Sequence, residues 1–460
     1  MPTRAQLGGW LNQPVSNASS EAFRVLFGAL NLFAAARFLA LGWVDRFFVA
    51  PTHYLRYWGF DWVHPLPEPW MTGAFVLLCA TSACILVGFF WRPAAVVHFL
   101  VFTWVELIDV TNYLNHYYLV SLLTLVLAFL PLGRRWSLDA LRRPDLVHTE
   151  VPRWVPALLR AQLSLVYLHA GLAKFTTDWL WHAQPLNLWL SARTETPLVG
   201  PWLDAWWVAL AMSWGGFLFD LTIWVFLLVP RTTLPAWLVV LVFHGVTGML
   251  FTIGLFPVIM VLGTTIFFPH DWPLRLAAQW GRARSRTGPA AATRPLPARL
   301  PGWGVVMVAG WVAFHALFPL RTHLYGGNVL WHEQGMRWSW RVMVREKNGS
   351  ITYRVHSPSL GRTWYVSPSR YLTSHQEFEM SGQPDMILRL AHDLAADFRT
   401  RGWLDVQVYA ETQVSLNGRP PVPLIDPGVD LAQVRPTLLR ATWILPAPEG
   451  PPPRLQPVRR

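Results

Sequence analysis

The sequence predicts a polytopic α-helical membrane protein, about nine transmembrane helices followed by an extracytoplasmic α+β domain rich in β-strands. Three observations carry this expectation. Of 460 residues, 53% are hydrophobic and 14% charged, too few charges to cover an ordinary soluble surface. Apolar runs of spanning length recur up to Leu320, with arginine concentrated in alternate loops. Beyond Arg321 the runs give way to apolar/polar alternation.

The runs are Phe23 to Val44, Trp70 to Phe90, Ala94 to Ile108, Tyr117 to Leu132, Val155 to Leu172, Trp206 to Val229, Leu234 to Phe251, Ile253 to Phe268 and Trp303 to Leu320. Arg134, Arg135, Arg142, Arg143 and Arg153 crowd one loop, and Arg275, Arg282, Arg284, Arg286, Arg294 and Arg299 another. By the positive-inside rule both loops are cytoplasmic, as are the amino terminus, Arg92 and Arg231. The segments Asp109 to His116 and Lys174 to Pro201, and everything after Arg321, then share the outer side. Arg337 to Arg345 and Asp405 to Ser415 alternate as strands, Asn417-Gly418 supplies a hairpin turn, and Pro384 to Arg399 reads as a helix with Ile387, Leu390, Ala391 and Leu394 on one face. Four segments result: a cytoplasmic amino-terminal stretch (1–22), a multi-span domain (23–320), an α+β domain (321–446) and a Pro/Arg-rich disordered tail (447–460).

Composition also excludes whole classes of protein. The net charge of +12 sits in short loops, so it marks topology and no nucleic-acid partner is expected. The two cysteines, Cys79 and Cys84, share one apolar run, and no disulfide framework or zinc pattern is possible. No removable signal peptide is expected in the first 20 residues. Phosphate-loop, Ser-His-Asp, zinc-protease and haem-attachment motifs are absent from the sequence, and no metal is expected.

Lysine usage singles out one position, because the chain holds 36 arginines and two lysines. Lys347, in Arg-Glu-Lys-Asn-Gly, is expected in a hairpin-like turn without function. Lys174 ends an apolar run, where partial desolvation favours a neutral amine able to act as a base, as guanidinium cannot. The bland alternative is an interfacial lysine that snorkels to water. His169, on the same helix, reads as readily as a packing histidine as a partner. Asn115 and His116, in the outward segment beginning at Asp109, offer hydrogen-bond donors to an anion or carbonyl. Trp214-Gly-Gly allows close helix approach, and Asp220 inside an apolar helix requires a partner such as His244 or an arginine.

Short motifs follow one another in order: Asp109-x-Thr-x-x-x-Asn-His116, Val166-Tyr-x-x-Ala-Gly-x-x-Lys174 with Asp178-Trp179, Trp214-Gly-Gly with Asp220-Leu221, Phe243-His244 and Leu250-Phe-x-Ile-Gly-x-Phe256. Asn328-Val-Leu-Trp-x-Glu333, Ser339-Trp-Arg-x-Met343, Pro384-Asp-Met-Ile-Leu388 and Asp426-Pro427-x-Val-Asp430 continue the series. From about Phe23 to Pro446 the sequence resembles the vitamin K-dependent γ-glutamyl carboxylase family, bacterial members included.

That resemblance implies γ-carboxylation of peptidyl glutamate coupled to epoxidation of vitamin K hydroquinone, phylloquinone or menaquinone in reduced form, with O2 and CO2 as co-substrates. It implies Lys174 as the base that deprotonates the hydroquinone and His116 as the group that stabilises the glutamyl carbanion. Asn115, Tyr167, Trp340 and Met343 match positions near hydroquinone or glutamate, and Asp109, Trp214, Asp220 and His244 are expected as supporting polar or structural residues. A glutamate γ-carbon is too weak an acid for a side-chain base, so oxidation must generate a stronger base in a dry cavity. The expected partners are the lipid bilayer, the quinone pool and a Glu-containing peptide or protein, with a bacterial inner membrane as the setting. The alternatives are a hydroquinone epoxidase without carboxylation, and a non-catalytic scaffold or transporter of the same fold.

Overall fold

In the computed structural model, which describes residues 4–132, 135–281 and 300–455, every apolar run identified above contains a helix. These are α1 (Ala18–Ala40), α2 (Trp70–Val87), α3 (Trp91–Ile108), α4 (Asn115–Phe129), α5 (Trp154–Ala173), α6 (Trp206–Leu228), α7 (Thr233–Leu250), α8 (Phe256–Gly263) and α9 (Gly302–Leu317). Five of them, α1, α2, α3, α6 and α7, are long and apolar enough to cross a membrane, and so is α9 together with its 3-10 continuation to Tyr325, which makes this a multi-pass membrane protein. The other three differ for physical reasons. Helix α4 has 15 residues, and α8 reaches only Phe267 even with its 3-10 continuation. Helix α5 has 20 residues but is largely buried inside the bundle, where Arg160, Gln162 and His169 need not meet lipid. Of the arginine-rich loops, Arg134 and Arg282 to Arg299 lie outside the described residues.

Helix α2 packs on α1 and α3, α3 on α4, α6 on α5 and α7, and α8 on α7 and α1. Small residues permit the closest crossings. A Cβ on Gly28 would stand 2.5 Å from the backbone nitrogen of Leu86, and one on Gly171 would stand 2.7 Å from that of Leu221. Near the start of α1, fully buried Arg24 pairs with Glu21 at 2.9 Å and donates to the carbonyls of Leu86 and Trp136, 3.0 Å each. The guanidinium thereby satisfies a carbonyl at the end of α2 that the helix itself leaves open.

Beyond α9 the chain forms an antiparallel sheet in the order β2-β1-β3, built from β1 (Lys347–Ser357), β2 (Arg362–Val366) and β3 (Gln407–Leu416). Tyr353 of β1 lies opposite Val366 on one side and Ala410 on the other. Helices α10 (Ser374–Ser381) and α11 (Pro384–Thr400) complete the core: Ile387, Leu390, Ala391 and Leu394 of α11 are buried as their spacing requires. Asn417 and Gly418 both have positive φ, and the returning chain bridges Val422 to Val414, the expected hairpin turn.

Three expectations are corrected. Arg337 to Arg345 forms no strand, because Trp338, Trp340 and Met343 have φ between 51° and 60°, outside the extended region. Lys347 lies in no turn; it opens β1 opposite Leu416 and is buried. The tail is held as far as Leu455, since Pro453 accepts from Gln184 and the Leu455 N–H donates to Asn187, 2.8 Å each; residues 456–460 lie outside the described set.

Candidate active site

Lys174 follows the last residue of α5, and its backbone N–H still bonds to Gly171 O at 3.0 Å. Its side chain turns back into the bundle, where Nζ donates to Asp220 Oδ2 at 2.7 Å and to Ala170 O at 3.3 Å. Only 6% of Lys174 is exposed, so the lysine is not a snorkelling one. Asp220 thus pairs with Lys174, not with His244 or an arginine as expected. The close crossing at Gly171 brings α5 and α6 near enough for this bond. His244 instead meets the Tyr167 hydroxyl through Nε2 at 3.1 Å, and its buried Nδ1 has no hydrogen-bond partner among the described residues.

These four residues line a narrow chamber of about 80 Å³. Trp179, Phe243, Phe251, Phe256 and Met343 line the same chamber, so polar groups and aromatic rings share one enclosed space. A larger cavity of about 530 Å³ lies beside it, lined by Asn115, His116, Arg37, Glu106 and Glu379 among others. Ile253, Phe256, Val342 and Met343 border both spaces. Met343 holds its place in this shared wall with a φ of 51°, a strained conformation of the kind that clusters at functional sites.

A family model described as HTTM domain matches residues 12–272, and one described as vitamin K-dependent gamma-carboxylase, lumenal domain, matches residues 301–450. The chain belongs to the vitamin K-dependent γ-glutamyl carboxylase family. No solved structure matches it.

Measured against the positions expected from that family, the structure divides the residues into groups. Lys174, Tyr167, Asp220, His244 and Met343 share the narrow chamber, while His116 and Asn115 belong to the larger cavity. Asn115 accepts from the Tyr113 hydroxyl at 3.1 Å, and that hydroxyl accepts from the Trp338 N–H at 2.7 Å. Trp340 lines neither space: it is 1% exposed and stacks on Tyr118 with centroids 5.1 Å apart. His169 also lines neither, and is a buried histidine of α5.

Asp109 and Trp214 hold structure together. Asp109 accepts from the Thr111 N–H and hydroxyl at 3.0 and 2.8 Å, and from Gln376 of α10 at 2.6 Å. Trp214 donates to Leu180 O at 2.9 Å. A second tie went unread in the sequence: Asp178 accepts two bonds from Arg419 and one from Asn417, all 2.7 Å. Burial opposes ionisation of Asp178, but these donors outweigh it and hold the carboxyl below its ordinary range. The loop after Lys174 is therefore clamped to the hairpin turn of the sheet.

The second lysine is likewise paired. Lys347 Nζ donates to Glu333 Oε1 at 3.1 Å and to Trp331 O, and burial pulls its pKa down to about 8. Glu333 also receives Arg345 at 2.9 Å.

Proposed function

We propose that this protein carboxylates the γ-carbon of peptidyl glutamate, using vitamin K hydroquinone, O2 and CO2 and yielding quinone epoxide. Family membership supports carboxylase-like chemistry, and the observation that carries the finer reading is the Lys174–Asp220 pair enclosed in an aromatic chamber. Flat rings of Trp179, Phe243 and Phe256 suit an aromatic ligand, and Lys174, Asp220, Tyr167 and His244 suit its hydroxyl groups. When bound, the hydroquinone supplies the reducing electrons and, on reaction with O2, the strong base.

Lys174 Nζ takes the hydroxyl proton. Asp220 is its immediate neighbour and can hold a proton on Oδ2, leaving the amine free to accept another; water-poor surroundings reduce the cost of this neutral pairing relative to separated charges. Tyr167, bonded to His244, offers a further hydroxyl in the same chamber with which to orient the ligand. His116, across the shared wall at Met343, faces the space where a glutamyl side chain enters, and stabilises charge there. The site is reached from the outer side, following the distribution of arginine.

Purified protein given reduced menaquinone or phylloquinone, O2, labelled CO2 and a glutamyl peptide tests this reading. Epoxide and fixed label in near-equal amounts are expected. Epoxide without label would leave only the epoxidase, and neither product would leave a scaffold.

A further inference from the structure

The larger cavity contains an acid for which the mechanism above has no use. Glu106 of α3 lines that cavity, and its Oε2 accepts from the Ser121 hydroxyl at 2.5 Å, which in turn accepts from Thr103 Oγ1 at 3.2 Å. Among the described residues no cation pairs with Glu106, whereas Glu21 has Arg24 and Asp220 has Lys174. Placing an unpaired carboxyl within an apolar helix costs free energy, and such groups mark proton or ion paths in membrane proteins.

On the reading proposed above, a proton must leave the site in every turnover. Oxidation of the hydroquinone by O2 gives epoxide and one water, with no net proton. Replacing a glutamyl Cγ–H by carboxylate releases one H+ for each CO2 fixed. In the mechanism above the base formed from the hydroquinone carries the Cγ hydrogen into that water, so the H+ left over is the one Lys174 took from the hydroxyl, and it must leave before the next turnover.

We propose that Glu106 is the relay carboxyl that receives this proton and passes it along the cavity toward Glu379 and His375 of α10. The groups facing the same cavity are Arg37 and Arg46 from α1 and the turn after it, His98 on α3 itself, Tyr113 from the turn before α4, His116 and Tyr117 from the start of α4, and Glu379 and His375 of α10. Tyr57 and Tyr118 also lie within electrostatic reach of Glu106. The hydroxyls of Ser121 and Thr103 hold the carboxyl toward the cavity without neutralising it. Arg37, resting over the Trp43 ring at 4.6 Å, keeps the space from becoming uniformly acidic. Burial raises the Glu379 carboxyl above its ordinary range, as suits a second acceptor on the same route.

Glu106→Gln keeps the shape and an acceptor for Ser121 but cannot carry a proton. In full-length protein shown to be active as wild type, epoxide and fixed label should both fall about 100-fold at saturating substrate, with unchanged KM values, the scale of one lost proton-transfer group. Glu106→Asp, or formate added to the Gln variant, should restore part of the rate and of the wild-type pH profile. Unchanged turnover in Glu106→Gln would overturn the relay, as would a loss that neither Asp nor formate repairs. If the Gln variant fails to accumulate, an apolar carbodiimide applied to wild type serves instead. Modification of Glu106 should then abolish turnover, and a modified yet active enzyme would overturn the proposal. A wild type yielding neither product would remove the functional reading itself, and the relay with it.

Discussion

At the scale of single residues, the rarity of lysine made Lys174 legible. With 36 arginines available for charge, a lysine at the end of an apolar run stood out. Its partner was not legible, because Asp220 is 46 residues away and helix pairing is decided by packing. Glu106 was overlooked for a related reason: a lone acid in an apolar run shows nothing of the cavity it faces. The separation of His116 from Lys174 into adjoining spaces leads to a prediction. His116→Ala should leave epoxide formation largely intact while fixed CO2 falls about 100-fold, the loss of one positioned catalytic group. Measuring both products in one reaction checks it, and an equal fall in both would assign His116 to binding or folding.

Periodicity was a reliable guide to individual elements wherever one face is buried. Helix α11 follows its 3.6-residue period, and β3 its period of two. Arg337 to Arg345 misled because its alternating tryptophans answer to other contacts. Trp340 is drawn onto Tyr118, and the chain bends through positive φ to allow it. Close crossing of α5 and α6 is the element-level feature on which the site depends. Gly171→Ala would force a Cβ against backbone atoms of Leu221 at 2.7 and 2.8 Å, which cannot yield as a side chain would. Stability should drop by about 1–3 kcal/mol, and epoxidation should fall further than stability alone accounts for, because Lys174 and Asp220 move apart. Thermal melts and epoxide assays on the same preparation compare the two, and a wild-type rate would show that the crossing does not set the pair.

Over the whole molecule, the long apolar helices precede the change from apolar runs to alternation and the three-stranded sheet follows it. What lay beyond sequence was their attachment. Asp109 to Gln376 and Asp178 to Arg419 join groups more than 200 residues apart, and nothing local announces such ties. Arginine distribution is the ground for proposing that the sheet lies outside. In a chain with Cys79 and Cys84 replaced, a cysteine at Ser285, beyond the described residues, should be shielded from an impermeant thiol reagent in intact cells, and one at exposed Ser359 should react. The reverse pattern would invert the topology and move the site to the other face.

The central claim, that Lys174 is the proton acceptor, is tested most directly by epoxide formation in Lys174→Arg. Guanidinium can keep the bond to Asp220 and the positive charge, but it stays protonated at any accessible pH. Epoxide and fixed CO2 should both fall by several orders of magnitude in protein that remains folded and membrane-inserted. Small amines should partly restore Lys174→Ala, whose cavity admits them, and do little for Lys174→Arg. Near-normal epoxidation by Lys174→Arg would contradict the account, leaving Lys174 a structural cation.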